Sequence, residues 1–331
     1  MIVTEVFMAA VYKTQTRVLY FFLMQHLVET QQFDREALRR LFVLVTKLEG
    51  KRDESLKGKI LASLFYEPST RTRLSFESAM MRLGGNVLSM ENASESSSAT
   101  KGETIEDTIR IVDDYADVII LRHPEAGASE RAAAVSEVPI INAGDGTGQH
   151  PTQAFLDLYT IQREIGRTDD FHIAFVGNLA YYRSARSLAY LLGRYNNVEM
   201  TFVSAPELRM KDDVKTYLKV KGVHFNETED LEGAMRAADV VYQTRVAKEW
   251  IPDKTVYEKL RGQYVITRPM TDHMKDGAIL IHPLPRAGEI TPEVDDSPHA
   301  VYFKQAGYGV LVRMALLKTI LGGGTKGIRA R

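Results

Sequence analysis

Cysteine is absent from the 331 residues, which excludes disulfides, a thiol nucleophile and any zinc site built on thiolates. Histidine is sparse: the eight present are scattered, and no pair has metal-ligand spacing such as HExxH, so no metal is expected. Neither sign of charge is in excess. With 42 basic and 43 acidic residues and a net charge of −1, no global field favours nucleic acid or an acidic membrane as partner. Long apolar runs are missing as well. The longest cluster, Val18 to Met24, falls far short of the ~20 residues that a spanning helix needs. The glycine-rich phosphate loops are also missing. Phe171 to Gly177 resembles the first strand of a dinucleotide-binding unit, but Asn178-Leu179-Ala180-Tyr181-Tyr182-Arg183 lacks the glycines that let a backbone approach a pyrophosphate. No GxxxxGK[ST] occurs either, so neither a nicotinamide dinucleotide nor a nucleoside triphosphate is expected.

Strand-length apolar runs are present at 59–66, 87–90, 117–122, 138–143, 172–177, 198–203, 239–242 and 278–282. Helical patterns lie among them at 34–48, 104–115, 151–165, 184–194, 212–220, 230–237 and 306–321. Alternation of this kind predicts an α/β chain with parallel sheets flanked by helices. So many strands fit two sheets, hence two domains, better than one. The helix from Pro151 to about Gly166 is the natural hinge between them. Ser94-Glu95-Ser96-Ser97-Ser98 is a short polar loop. Residues 1–25 carry Lys13 and Arg17 against Glu5 and read as an N-terminal extension. A cytoplasmic protein is expected, with organellar targeting by residues 1–25 as the alternative.

The most informative stretch is Pro68-Ser69-Thr70-Arg71-Thr72-Arg73, between the apolar run Leu61 to Tyr66 and a helix that stops at Gly84-Gly85. A helix opening near Ser69 would set three hydroxyls and two guanidinium groups beside unpartnered backbone N–H groups, a ready site for a dianion. An ordinary cap with two solvated arginines would explain one hydroxyl but not the accumulation.

Ligands of open parallel sheets bind beyond the carboxyl ends of the strands. The groups that follow the other strands are Arg122 and His123, then Gly144-Asp145-Gly146 with His150 and Gln153, then Arg183, Arg245 and His282-Pro283-Leu284-Pro285-Arg286. One end of the molecule therefore collects arginines, histidines and hydroxyls, and few carboxylates. Each has a bland reading of its own: Arg122 and Arg245 as solvated strand ends, His150 as a loop residue, Arg183 as a surface residue, the proline segment as a stiff turn. Those readings do not explain their convergence. A cleft for small polyanions does, with a phosphate on the first domain and carboxylates on the second.

Ser69-Thr70-Arg71-Thr72-Arg73, Arg122-His123-Pro124, His150-Pro151-Thr152-Gln153 and His282-Pro283-Leu284-Pro285-Arg286 resemble the signature of the aspartate/ornithine carbamoyltransferases. Asn142 to Gly146, Ser97 through Lys101 to Thr104, and Gln305-Ala306-Gly307 extend the match, which runs from about Gln25 to Leu321. Ornithine-specific members typically carry Cys where Pro283 stands and an Asp-x-x-x-Ser-Met-Gly loop. Both are missing, so aspartate is the expected acceptor.

The resemblance implies a carbamoyl-phosphate-binding domain at 26–151 plus 307–325 and an aspartate-binding domain at 152–306, linked by interdomain helices. It implies that Ser69, Thr70, Arg71, Thr72 and Arg122 hold the phosphate of carbamoyl phosphate. Thr72, Arg122 and His150 would serve its carbonyl oxygen, and Gln153 with the Leu284 and Pro285 carbonyls its NH2. Arg183 and Arg245 would clamp the carboxylates of L-aspartate. Ser97 and Lys101 would reach a neighbouring subunit's site, making a homotrimer with shared active sites. The expected reaction yields N-carbamoyl-L-aspartate and phosphate, a step of pyrimidine biosynthesis, without metal, cofactor or covalent intermediate. A different amine acceptor and a non-catalytic anion-binding trimer are the alternatives, and a regulatory or pathway-enzyme partner is left open. Three departures bear on the acceptor. Ala247 stands where relatives commonly have Gln, Trp250 where they often have an Arg that pairs with the carboxylate equivalent to Glu67, and Tyr182 where Gly is usual, placed so as to crowd Arg183.

Overall fold

The computed structural model describes residues 26–93, 101–246, 251 and 253–322. Two fully parallel sheets organise it. The first runs in the order β2-β1-β3-β4, formed by β1 (Ile60–Phe65), β2 (Asn86–Glu91), β3 (Val118–His123) and β4 (Ile140–Asp145). The second runs β7-β6-β5-β8-β9, from β5 (Phe171–Val176), β6 (Val198–Val203), β7 (Phe225–Thr228), β8 (Val240–Gln243) and β9 (Ile279–Ile281). Among the helices are α1 (Arg35–Leu48), α2 (Thr70–Arg82), α3 (Ile105–Val112), α4 (Ala128–Val135), α5 (Pro151–Ile165) and α6 (Arg183–Leu192). They continue with α7 (Asp212–Val220), α8 (Leu231–Ala237), α9 (Lys254–Leu260), α10 (Arg268–Thr271) and α11 (Tyr302–Leu321).

The sheets differ from an antiparallel pattern in the way their sequences read. Central strands of a helix-covered parallel sheet are apolar on both faces, so Leu61 to Phe65 and Val118 to Leu121 are buried without alternation. The edge strand β2 is mostly exposed and keeps polar Asn86, Ser89 and Glu91. Helix α5 has every residue from Pro151 to Ile161 buried, because it packs between elements of both halves. Gly166, at φ 78°, ends it in a left-handed turn that glycine adopts without strain. The last helix, α11, returns from the second sheet to pack on α1, α2 and α5. One apolar core therefore runs from Leu38 and Phe76 through Phe155 to Phe175 and Leu316.

Every strand run and helical pattern of the sequence is found within a few residues of its expected place. Four elements add to them. β7 is a short strand with one apolar residue followed by three polar ones, α4 is alanine-rich with a weak stripe, α9 follows a polar stretch, and α10 is a single turn.

Candidate active site

The strand order explains why the anion-binding groups meet. β1, β3 and β4 are adjacent and parallel, so their carboxyl ends deliver α2, Arg122 and the 144–150 segment to one edge. α2 opens with Ser69 as N-cap, and the Ser69 hydroxyl makes no capping bond. The Ser69 carbonyl takes the Arg73 N–H at 3.2 Å, so the N–H groups of 70–72 precede the helical ladder and have no partner within it. The positive end of the α2 dipole adds to the guanidinium charge there.

These groups line a cavity of about 730 Å³ between the two sheets. Ser69, Thr70, Arg71, Thr72, Arg122, His150 and Gln153 contribute from one side. Arg183, Arg245, Leu284 and Pro285 contribute from the other. Eleven of the thirteen residues proposed from sequence thus share one cleft. Lys101 does not: it is exposed and lies away from the cavity of its own chain. Ser97, Ala247, Lys248 and Trp250 fall outside the described residues.

Positive charge in the cleft is held under tension. Burial pushes the Arg122 guanidinium down to about 9, Arg183 adds to the shift, and Glu67 opposes it. Arg122 donates to the Ala143 carbonyl at 3.3 Å, and its Nε lies 3.3 Å from Glu67. Burial also lowers Arg71, and nearby Arg245 adds to that. A dianion among these groups would relieve the mutual repulsion.

His150 is buried, with its backbone N–H donated to Ser187 Oγ at 2.8 Å. Burial first, then Arg122, Arg183 and Arg313, hold its imidazole well below the usual histidine value. A neutral ring in that position can still donate one N–H to an oxygen without adding a cation to three others.

Arg183 begins α6 and reaches back across the cleft. It donates to the Gly146 carbonyl at 2.9 Å and to Glu67 Oε2 at 3.0 Å. Gly144, at φ 112°, makes this reach feasible, because a Cβ there would sit 2.9 Å from the Arg183 guanidinium carbon. By resemblance, Trp250 leaves Glu67 without the Arg that often pairs with its equivalent in relatives. Among the described residues the partners of Glu67 are Arg122 and Arg183, one from each side of the cleft. The Tyr182 hydroxyl feels the charge of Arg245, while Arg183 is committed to Glu67 and Gly146.

The 282–285 segment is pinned from both ends. His282 accepts the Leu284 N–H at Nδ1 (2.7 Å), so its proton is on Nε2, 2.7 Å from Glu289 Oε1. Gln305 Oε1 takes the His282 N–H at 2.9 Å. Leu284 is held at φ 55°, a left-handed conformation costly for a branched residue.

Sequence reasoning missed Arg313, which lines the cavity and stacks 4.9 Å over the Phe76 ring. It also missed Asp157, buried behind Gln153. Each is a charged residue inside an apolar helical run, Val312-Arg313-Met314-Ala315 and Phe155-Leu156-Asp157-Leu158, and that interruption was the available signal.

Residues 25–163 match the model of the aspartate/ornithine carbamoyltransferase carbamoyl-P binding domain, and residues 169–320 that of the Asp/Orn binding domain. This chain belongs to the aspartate/ornithine carbamoyltransferase family. It is 53% identical over 306 residues to the chloroplastic aspartate carbamoyltransferase 1 of Pisum sativum, covering 91% of this chain and 79% of that one. It is 51% identical over 303 residues to the aspartate carbamoyltransferase catalytic subunit of Methanocaldococcus jannaschii, covering 90% and 98%. A solved structure of the M. jannaschii catalytic subunit superposes with a TM-score of 0.84 at 49% identity, over 92% of this chain and all of that one. The Trypanosoma cruzi aspartate transcarbamoylase in complex with N-(phosphonacetyl)-L-aspartic acid gives 0.83 at 38% identity, over 88% and 94%. The two-sheet carbamoyltransferase architecture therefore extends over nearly all of the described residues.

Proposed function

We propose that this cleft transfers the carbamoyl group of carbamoyl phosphate to the α-amine of L-aspartate, giving N-carbamoyl-L-aspartate and phosphate, a step of pyrimidine biosynthesis. The observation that carries this reading is one cavity with a helix-start anion cage on one side and Arg183 and Arg245 on the other. The α2 N-terminus with Ser69, Thr70, Arg71, Thr72 and Arg122 would bind the phosphate. Thr72, Arg122 and neutral His150 would donate to the carbonyl oxygen as charge grows on it in the tetrahedral transition state. Gln153 and the Leu284 and Pro285 carbonyls would take the NH2. Arg183 and Arg245 would orient the aspartate carboxylates so that the free amine meets the carbonyl carbon. The new C–N bond forms, the C–O bond to phosphate breaks, and the departing phosphate takes the amine proton. Positioning and charge stabilisation then supply the catalysis.

Purified protein given carbamoyl phosphate and a panel of amines tests this directly. Carbamoylation of aspartate with little turnover of asparagine or ornithine is expected. Equal use of ornithine would show that the two arginines do not clamp a dicarboxylate, and turnover of none would show a binding protein. Tyr182 on Arg245 is the feature that favours an altered acceptor, and the same panel reads it.

Oligomer and location are part of the proposal. Met81 on α2 and Leu88 and Met90 on the edge strand β2 are exposed apolar side chains suited to contact with a second copy of the chain. Lys101, solvent-facing in its own chain, would then enter a neighbour's phosphate site with Ser97, making a homotrimer. Lys101→Ala and Arg71→Ala chains, each nearly inactive, should recover about a third of wild-type activity per mixed trimer, since one site in three is complete. No recovery under conditions that exchange subunits would place Lys101 outside the site. A cytoplasmic location is proposed. The chloroplastic plant relatives make residues 1–25 the segment to test for organellar import, and among the described residues no helix is long and apolar enough to cross a membrane.

A further inference from the structure

Asp157 is fully buried in α5, one turn after Gln153, and does not line the cavity itself. Its Oδ1 accepts the Gln153 Nε2 at 2.8 Å and the Gln305 Nε2 at 2.6 Å, and its Oδ2 accepts the Tyr242 hydroxyl at 2.9 Å. Three donors converge on one carboxylate from α5, α11 and β8. We propose that Asp157 is the positioning residue that turns Gln153 and, through Gln305 and His282, the Leu284 segment into an acceptor set for the donor's NH2. The proposal rests on carbamoyl phosphate being the donor.

The reasoning is one of amide polarity. A glutamine side chain has an NH2 end and an oxygen end of nearly the same shape, and only its partners decide which faces where. Oδ1 of Asp157 accepts whether the group is ionised or carries a proton on Oδ2, so it commits the NH2 end of Gln153 to Asp157 and leaves Oε1 for the cleft. The opposite orientation would set one NH2 against another. The second arm works alike. With its Nε2 held by Asp157, Gln305 has Oε1 placed to accept the His282 N–H, and His282 in turn accepts the Leu284 N–H. One buried group thereby orients acceptors on both walls of the pocket, and neither wall could correct the other if it were lost.

Acetyl phosphate carries CH3 where carbamoyl phosphate carries NH2, and it isolates the contribution of the acceptors. The measurement is the ratio of the acetyl phosphate inhibition constant to the carbamoyl phosphate dissociation constant, with inorganic phosphate as a control for the anion cage. Asp157→Ala should lose roughly tenfold or more of this ratio, the effect of two misaimed hydrogen bonds, with inorganic phosphate inhibition unchanged. Asp157→Asn should keep the ratio, because its Oδ1 still accepts from both glutamines. If the alanine variant does not fold, Gln305→Met reads one arm alone and should lose a smaller share. An unchanged ratio in a folded Asp157→Ala or Gln305→Met variant overturns the proposal, and so does an asparagine variant as impaired as alanine. Failure of the wild-type protein to carbamoylate aspartate at all would sink the donor reading instead.

Discussion

In the donor half of the cleft, four consecutive residues, Ser69 to Thr72, open a single helix and are backed by Arg122 and His150 from neighbouring strand ends. In the acceptor half, Arg183 and Arg245 come from different strand ends of the second sheet, and the sequence next to Arg183 carries Tyr182 where Gly is expected from the resemblance. The donor half binds by local geometry: helix start, hydroxyls and guanidinium groups arrive together because they are adjacent in the chain. The acceptor half binds by long-range placement, and its arginines already have protein partners, Glu67 and Gly146 for Arg183 and Tyr182 for Arg245. A ligand in the first half would meet helix-start N–H groups and hydroxyls poised for it, although Arg122 there already holds Glu67 and the Ala143 carbonyl. A ligand in the second half must exchange with contacts already made. Donor recognition should therefore resist change, and acceptor recognition should be adjustable.

Paired substitutions put that contrast at risk. Arg122→Ala removes a buried cation from both the phosphate and the growing oxyanion, and should lower kcat by at least ~100-fold with the fold intact. Arg245→Ala should act mainly on aspartate, raising its KM or abolishing saturation, while carbamoyl phosphate binding stays nearly unchanged. Steady-state kinetics with each substrate varied checks both. Equal effects of the two variants on both substrates would erase the distinction between the halves.

A smaller effect concerns pH. Burial and three arginines lower the His150 pKa in the native state from an ordinary value of 6.5. Below that value the unfolded chain binds a proton that native His150 refuses, so the stability present above pH 6.5 is lost toward acid. His150→Gln should lower this slope by at most about 1.4 kcal/mol per pH unit. Burial raises Asp157 to about 7, which gives the opposite slope between the ordinary carboxylate range and neutrality. The difference between wild type and variant in chemical denaturation at pH 5.5 and 7.5 isolates His150. Identical slopes would show that the imidazole is not held neutral by its surroundings.

The sheets were readable because buried parallel strands leave continuous apolar runs, as in Leu61 to Phe65 and Ile173 to Val176. β7 and α4 were not, since Phe225-Asn226-Glu227-Thr228 has no such run and Ala128 to Val135 no strong stripe. The residues that line the cleft were readable because helix-start chemistry is local and because strand ends in a parallel sheet face one way. Glu67 was readable as a residue of interest but not as the partner of Arg183, which lies in the other half of the chain.

By itself the sequence determined the chemical inventory: no thiol, no metal spacing, no nucleotide loop, and a set of cations and hydroxyls placed at strand ends. Periodicity and composition carry that much, because they depend on neighbours in the chain. Only the tertiary structure decided which groups oppose one another. Arg183 reaches Glu67 and Gly146 because Gly144 leaves room for it, and Asp157 gathers Gln153, Gln305 and Tyr242 from three separate elements. Those contacts span most of the chain, and the orientation of a buried amide or the charge of a buried arginine depends on what faces it in space.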